Sequence, residues 1–247
     1  MHITLLNYDS IDSTNTEALR QARLGAEEGL CILSREQTEG RGRYGRTWVS
    51  ERDAGLYFSI VLRPKIQAHD LPLITLMAGV AVHYTLKSFG IEPDIKWVND
   101  VLVNEKKIAG ILAETTETDR GLAVIVGIGI NLTSTNFSPD LAMTATCLED
   151  VLPTKPRRDD LIEVLTRNLE ISYDQLQGEG GPAEIIENWT QRSSYSSGKS
   201  VRVVLENETV AGVTDGLEEN GALRIKRGNG NILVIQAGDV EQVRAAV

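Results

Sequence analysis

Apolar positions along the chain fall into short period-2 runs separated by helical stripes. Residues 3–8 alternate as a half-buried strand does. Thr14-x-x-Glu17 is a capping-box pattern opening a helix whose apolar face holds Ala18, Leu19 and Ala22, with Gly25 at its end. Leu30-Cys31-Ile32-Leu33 predicts a buried strand and residues 56–62 another. From 70 to 89 apolar residues recur at helical spacing (Leu73, Met77, Val80, Ala81, Tyr84), and Gly90 stops the helix. His83 lies on that helix and reads as structural. Residues 95–97, 101–103 and 108–112 predict successive strands, the last two joined by a turn at Asn104-Glu105-Lys106, and residues 123–130 a further buried strand. Leu161, Leu165 and Leu169 mark one helix face, and a second helix follows near 183–192. Residues 193–198, rich in serine, read as a linker. Beyond them short strands at 201–205, 209–214, 223–225 and 232–235, punctuated by Glu219-Asn220-Gly221 and Gly228-Asn229-Gly230, predict a small β-barrel of about 50 residues.

One polar stretch breaks the pattern: Gly40-Arg41-Gly42-Arg43-Tyr44-Gly45-Arg46-Thr47-Trp48, slung between two predicted strands. Glycine lets backbone amides approach a ligand closely, and arginine presents planar, permanently charged forks to carboxylate or phosphate oxygens. The string satisfies G-x-G-x-x-G, but a dinucleotide fingerprint needs an apolar strand before it and a helix opening at its end. Here Ser34 to Glu39 is polar and Arg46 to Ser50 has no helical pattern. No V-A-I-K, H-R-D or D-F-G motif accompanies it, which excludes a kinase glycine loop. Taken alone, the stretch reads equally well as an arginine-rich surface loop. Its crowded like charges predict a loop that is disordered until an anion binds.

Composition narrows the ligand. The 247 residues suffice for one large domain and a small one. A hydrophobic content of 41% with 24% charged residues is that of a globular protein, and no apolar run nears the roughly 18 residues of a membrane span. The start, Met1-His2-Ile3-Thr4-Leu5, has no signal-peptide pattern, so a cytoplasmic location is expected, with no membrane partner. Cys31 and Cys147, without a C-x-x-C pattern, predict reduced, buried thiols. A net charge of −10 disfavours general nucleic-acid affinity, which rests on many basic contacts to phosphate. Arginines gathered in one loop of an acidic chain point instead to a small anion.

Three further stretches carry chemistry: Ser13-Thr14-Asn15; Lys96-Trp97-Val98-Asn99-Asp100 followed by Lys107; and Gly127-Ile128-Gly129-Ile130-Asn131-Leu132. Each has an ordinary reading, as an N-cap, a hairpin turn and a close-packed strand. With Gln37 and the arginine loop, in this order and spacing, they resemble the biotin protein ligases, whose motifs are S-T-N, Q-x-x-G-R-G-R-x-G-R-x-W, K-W-P-N-D with a lysine seven residues on, and G-I-G-x-N. The resemblance covers residues 3–132 and continues through Asn220-Gly221-Ala222-Leu223 and Ala237-Gly238-Asp239-Val240; residues 133–195 carry little specific signal. One departure is Val98 in place of the motif proline, which removes a rigid turn element and puts the placement of Asn99 and Asp100 in question.

The resemblance implies an α+β fold: a mixed central sheet with helices, the class II synthetase-like biotin/lipoate ligase fold over residues 1–195, followed by an SH3-like β-barrel over 198–247. It implies a ligase that joins biotin to ATP as biotinyl-5'-AMP, with Mg2+, and passes biotin to a lysine of a biotin carboxyl carrier protein domain. By position, Ser13, Thr14, Asn15 and Gln37 meet biotin, and Arg41 and Arg43 lie near its carboxylate and the adenylate phosphate. Gly40, Gly42, Arg46 and Gly110 belong to the same binding set. Trp48 covers the adenine end, and Asn131 meets ATP phosphates or the metal, whose ligands are otherwise unassigned. Lys107, Arg43 and Asp100 form the catalytic set: Lys107 meets the reacting carboxylate and α-phosphate, and Asp100, kept ionised by Lys96, receives or orients the incoming lysine. Some relatives carry an N-terminal helix-turn-helix; with S-T-N at residue 13, neither a DNA-binding domain nor a DNA partner is expected. The resemblance leaves a homodimer and the carrier's identity open. Two rivals stand beside it, a lipoate or octanoate ligase of the same fold and a non-catalytic module that binds biotinyl-adenylate. The complete arginine loop favours biotin.

Overall fold

The computed structural model describes residues 1–135, 137–205 and 208–242. Seven strands form a mixed sheet: β1 (Thr4–Tyr8), β2 (Leu30–Ser34), β3 (Gly55–Leu62), β4 (Asp94–Lys96), β5 (Asp100–Val103), β6 (Lys106–Thr118) and β7 (Gly121–Asn131), in the order β1-β2-β3-β7-β6-β5-β4. β1 and β2 are parallel because helix α1 (Thr14–Arg23) carries the chain across between them, whereas β6 and β7 follow each other through a tight turn and pair antiparallel. β3 shows why its sequence is apolar almost throughout. Leu56, Phe58, Ile60 and Leu62 join the large core, while Val61 packs on the opposite face with Ala18 and Ala22 of α1. Helix α2 (Leu73–Ser88) is buried nearly all round, since α5 (Arg158–Gln177) and α6 (Gly181–Thr190) cover the side away from the sheet. Two short helices, α3 (Pro139–Thr144) and α4 (Leu148–Val151), occupy part of the stretch in which the sequence carried little signal.

Three local expectations need correction. The capping box at the start of α1 does not form. Ser13 is the N-cap and makes no side-chain cap bond, and the Glu17 carboxylate accepts from Tyr8, Arg20 and Gln21 instead. The helix expected from residue 70 begins at Leu73, because Asp70 ends a separate 3-10 turn and Pro72 takes the cap position. The serine-rich stretch is docked rather than loose: Ser193 Oγ donates to Ile95 O at 2.5 Å, Ser194 N to Asp94 Oδ1 at 2.7 Å, and Tyr195 is buried.

The second sheet is antiparallel, with strands β8 (Ser197–Val204), β9 (Thr209–Leu217), β10 (Leu223–Lys226), β11 (Ile232–Ile235) and β12 (Asp239–Gln242) in the order β11-β10-β9-β8-β12. Its apolar residues are continuous with the large core. Trp97 Nε1 donates to Gly221 O at 2.9 Å, and Gly221, at φ +82°, lies so near that a Cβ there would sit 2.8 Å from Leu76. This docking brings the turn before β12 to the arginine loop. Of the expected barrel, residues 206–207 and 243–247 lie outside the described residues. Among the described residues no helix is long and apolar enough to cross a membrane.

Candidate active site

The arginine loop joins β2 to β3 and forms a small ladder of its own. Arg41 and Thr47 bridge antiparallel, Gly42 N donates to Arg46 O at 2.7 Å, and Trp48 N to Gly40 O at 2.9 Å. Gly40 serves this closure and does not line the cleft: a Cβ there would fall 2.3 Å from Trp48 O. The arginines do not face only one another: each faces an oxygen from another element. Arg41 pairs with Glu114 of β6 at 2.8 Å, Arg46 with Asp239, and Arg43 donates to Asn99 Oδ1 and Gly238 O, both at 3.3 Å. Arg41 and Arg46 remain substantially exposed, so their ion pairs are weak and exchangeable for a ligand's anion.

Beneath the loop lies a cleft of about 780 Å³ whose walls include Ser13, Thr14, Asn15, Gln37, Arg41, Gly42, Arg43, Arg46, Trp48, Asp100, Lys107 and Gly110. Its inner end is polar: Thr14 N donates to Gln37 Oε1 at 2.8 Å, and Asn15 Nδ2 donates to Glu114 Oε2 at 2.7 Å. Its middle is bare backbone. A Cβ on Gly127 would come 2.2 Å from Asn15 Oδ1, and one on Gly129 would come 2.5 Å from Trp48 Cε2. Spaced by two along β7, these glycines clear the same face of the sheet for Asn15 and for the indole. Gly110, registered opposite Gly129, extends the clearing onto β6.

At the outer end Asp100 is nearly buried between Lys107 Nζ at 2.6 Å and Lys96 Nζ at 2.8 Å. Burial alone would raise its pKa, but the two ammonium groups outweigh that effect and hold the carboxyl below its usual range. Lys107 Nζ also stands 5.2 Å from the Trp48 ring centroid. The Trp97–Val98 peptide is cis, and Asn99 is tied to β6 by its Nδ2 donating to Ile111 O at 3.0 Å and its carbonyl accepting from Ile111 N at 2.9 Å. Both Asn99 and Asp100 reach the cleft despite the valine. Asn131 does not. Its Nδ2 donates to Thr146 O at 2.9 Å, and it lines a second, more apolar cleft of about 590 Å³ with Ala54, Phe137 and Leu141, separated from the first by Trp48 and Lys107, which wall both.

The model of the Biotin/lipoate A/B protein ligase family matches residues 8–131, and that of the Biotin protein ligase C terminal domain matches residues 196–242. This chain belongs to the biotin protein ligases. The Bifunctional ligase/repressor BirA of Bacillus spizizenii is 35% identical over 242 residues, covering 96% of this chain and 73% of that protein. The Biotin–[acetyl-CoA-carboxylase] ligase of Paracoccus denitrificans is 34% identical over 238 residues, covering 93% and 96%. The solved biotin protein ligase from Aquifex aeolicus in complex with biotin and ATP superposes with a TM-score of 0.83 at 28% identity, covering 98% of this chain and 99% of that one.

Several side chains at the cleft of this biotin protein ligase, or just behind its wall, escaped the sequence reading. Ser59 and Glu114 tie the inner wall together, and Asp239 reaches in from the second sheet. Ser59 left a trace as a hydroxyl in an otherwise apolar run of β3, and Asp239 stood in the quoted Ala237-Gly238-Asp239-Val240 without a role; no local pattern marks Glu114. Among the described residues no group of three or more His, Cys, Asp or Glu side chains could hold a metal ion. Asp100 and Asp239 at the cleft, and Glu114 beside Arg41, are each paired with a cation already. Cys31 and Cys147 are free and buried, and burial pushes the Cys31 thiol up to about 12.

Proposed function

We propose that the chain activates biotin with ATP to biotinyl-5'-AMP and passes the biotinyl group to a lysine of a biotin carboxyl carrier protein domain. The observation that carries this reading is one cleft with a polar, hydrogen-bonding inner end and four cations at its mouth: Arg41, Arg43, Arg46 and Lys107. In the first step a biotin carboxylate oxygen attacks the α-phosphorus and pyrophosphate leaves. Two anions must be held together for this, and fixed cations in a partly dry cleft supply the attraction without reorganising. Trp48, lying on Gly110 and Gly129, forms the wall between the biotin cleft and the apolar cleft proposed for adenine, where Asn131 stands. In the second step the carrier lysine, as free amine, attacks the biotinyl carbonyl and AMP leaves. A carboxyl held below its usual range is a poor proton acceptor, so Asp100 is assigned to orient the incoming lysine and to anchor Lys107. Magnesium keeps several waters and binds through phosphates and few carboxylates. Since the described residues form no cage for it, it is assigned to arrive on the triphosphate.

The test is incubation with ATP, magnesium and either biotin or lipoate, with detection of pyrophosphate and of the adenylate by mass. Biotinyl-5'-AMP with pyrophosphate supports the reading. Lipoyl-adenylate alone would favour a lipoate ligase, and bound adenylate without pyrophosphate release a non-catalytic sensor.

A further inference from the structure

We infer that Ser59 and Glu114 are positioning residues that set the hydrogen-bond polarity of the inner wall, so that Thr14 and Gln37 present a pair of acceptors to N–H groups of the ligand. The inference rests on the proposed biotin reading and deepens it. Ser59 is fully buried on β3, behind the cleft rather than on its wall. Its Oγ lies 2.6 Å from Asn15 Oδ1 and 2.7 Å from Thr14 Oγ1, and Thr14 Oγ1 lies 3.0 Å from Gln37 Oε1. These three contacts join four oxygens, yet only the two hydroxyls carry a hydrogen.

The neighbours decide where those hydrogens go. Asn15 Nδ2 donates to Glu114 Oε2 at 2.7 Å and to Leu112 O at 3.2 Å. Reversing that amide would set its oxygen against a carboxylate and a carbonyl, so Asn15 Oδ1 faces Ser59 and can only accept. Gln37 is fixed in the same manner: its Oε1 accepts from Thr14 N at 2.8 Å, and its Nε2 donates to Ser50 Oγ at 2.7 Å, which donates to Trp48 O at 2.9 Å. Two hydrogens serve three contacts, and the two shorter ones, 2.6 and 2.7 Å, hold them while the 3.0 Å contact goes without: Ser59 donates to Asn15 and Thr14 donates to Ser59. No hydrogen is left between Thr14 Oγ1 and Gln37 Oε1, and two adjacent acceptors at this distance attract a ligand N–H. A cyclic urea carries such donors; a dithiolane ring carries none. The relay thus favours a urea-bearing acid over a lipoate-like one.

Ser59→Ala removes the acceptor for the Thr14 hydroxyl, which then turns to Gln37 Oε1 and quenches the pair. Titration calorimetry should show biotin Kd raised about tenfold, the loss of roughly one hydrogen bond, with the adenylation rate at saturating biotin within about twofold. Ser59→Thr should restore Kd, and biotin methylated on a ureido nitrogen should bind wild type and Ser59→Ala alike. If Ser59→Ala does not fold, Ser59→Cys, whose sulfur is a weak acceptor for the Thr14 hydroxyl, reads the same quantity. Unchanged biotin Kd in the folded variant, or equal weakening toward the methylated ligand, overturns the relay. Wild-type protein that forms no biotinyl-adenylate overturns the proposed function first, and the relay with it.

Discussion

Gly129→Ala tests whether the indole of Trp48 is positioned by bare backbone. A Cβ at 129 falls 2.5 Å from Cε2, 2.6 Å from Cζ2 and 2.7 Å from Nε1 of that ring, whereas carbons in contact keep about 3.5–4.0 Å. The ring must lift by roughly 1 Å. β7 is paired along its length with β3 and β6 while Trp48 sits on a loop, so the indole gives way and the strand does not. Stability should then change little, within about 0.5 kcal/mol, as for a substitution outside the core. Chemistry should suffer more, because Trp48 walls both clefts and Lys107 Nζ stands over its ring. A misplacement near 1 Å can lower a rate about 10²-fold, and that fall is expected in single-turnover pyrophosphate release, with biotin Kd within about twofold. Gly127→Ala is the control at the other end of the cleft: its Cβ would strike Asn15 Oδ1 at 2.2 Å, so biotin Kd should rise instead. The movement of the ring can be followed by fluorescence, since Trp97 and Trp189 are buried and only Trp48 lies at the clefts. A red-shifted Trp48 with an undiminished pyrophosphate burst would refute the argument, for the ring would then have moved without consequence.

Lys107→Ala should lower pyrophosphate release by about 10²–10³ while biotin still binds, as for loss of one donor to developing charge; a parental rate would remove Lys107 from the chemistry. Arg43→Gly should fold normally, because Arg41 and Arg46 keep their own partners, yet release biotinyl-5'-AMP that appears in an ultrafiltrate; full retention on the protein would count against Arg43 as a hold on the intermediate. His83, buried on α2 beside Arg192 and Lys87, has its pKa lowered from 6.5 to about 4, first by burial and then by those cations. The unfolded chain therefore takes up a proton below pH 6.5 that the folded chain accepts only near 4, so stability falls as pH falls between those values, by about 2–4 kcal/mol in all, and levels off below. Urea unfolding of His83→Leu across that range should show this slope removed; an unchanged slope would assign it elsewhere.

The strands and the long helices were legible because burial is periodic along the chain: β3, apart from Ser59, and β7 announce themselves by apolar runs, α5 by Leu161, Leu165 and Leu169. The ligase motifs were legible too, as residue types at characteristic separations. The partners of those residues were not. The hydroxyl of Thr14 faces Ser59 and Gln37 rather than capping the helix it opens, and Glu17 leaves the cap for Tyr8 and Arg20. Arginines that looked mutually repulsive in sequence are compensated by Glu114, Asp239 and the Gly238 carbonyl, all far along the chain. A stretch with linker composition is pinned because β4 offers its Ile95 carbonyl and Asp94 carboxylate to Ser193 and Ser194. Asn131, four residues from Gly127, is cut off from the first cleft because Trp48 lies between. Local pattern decides which atoms are buried, since alternation and helical period act over a few residues. Which donor meets which acceptor, and which charge is neutralised, depends on distances across the folded sheet, and these arise only when α1, the arginine loop and the second sheet converge on the same glycines.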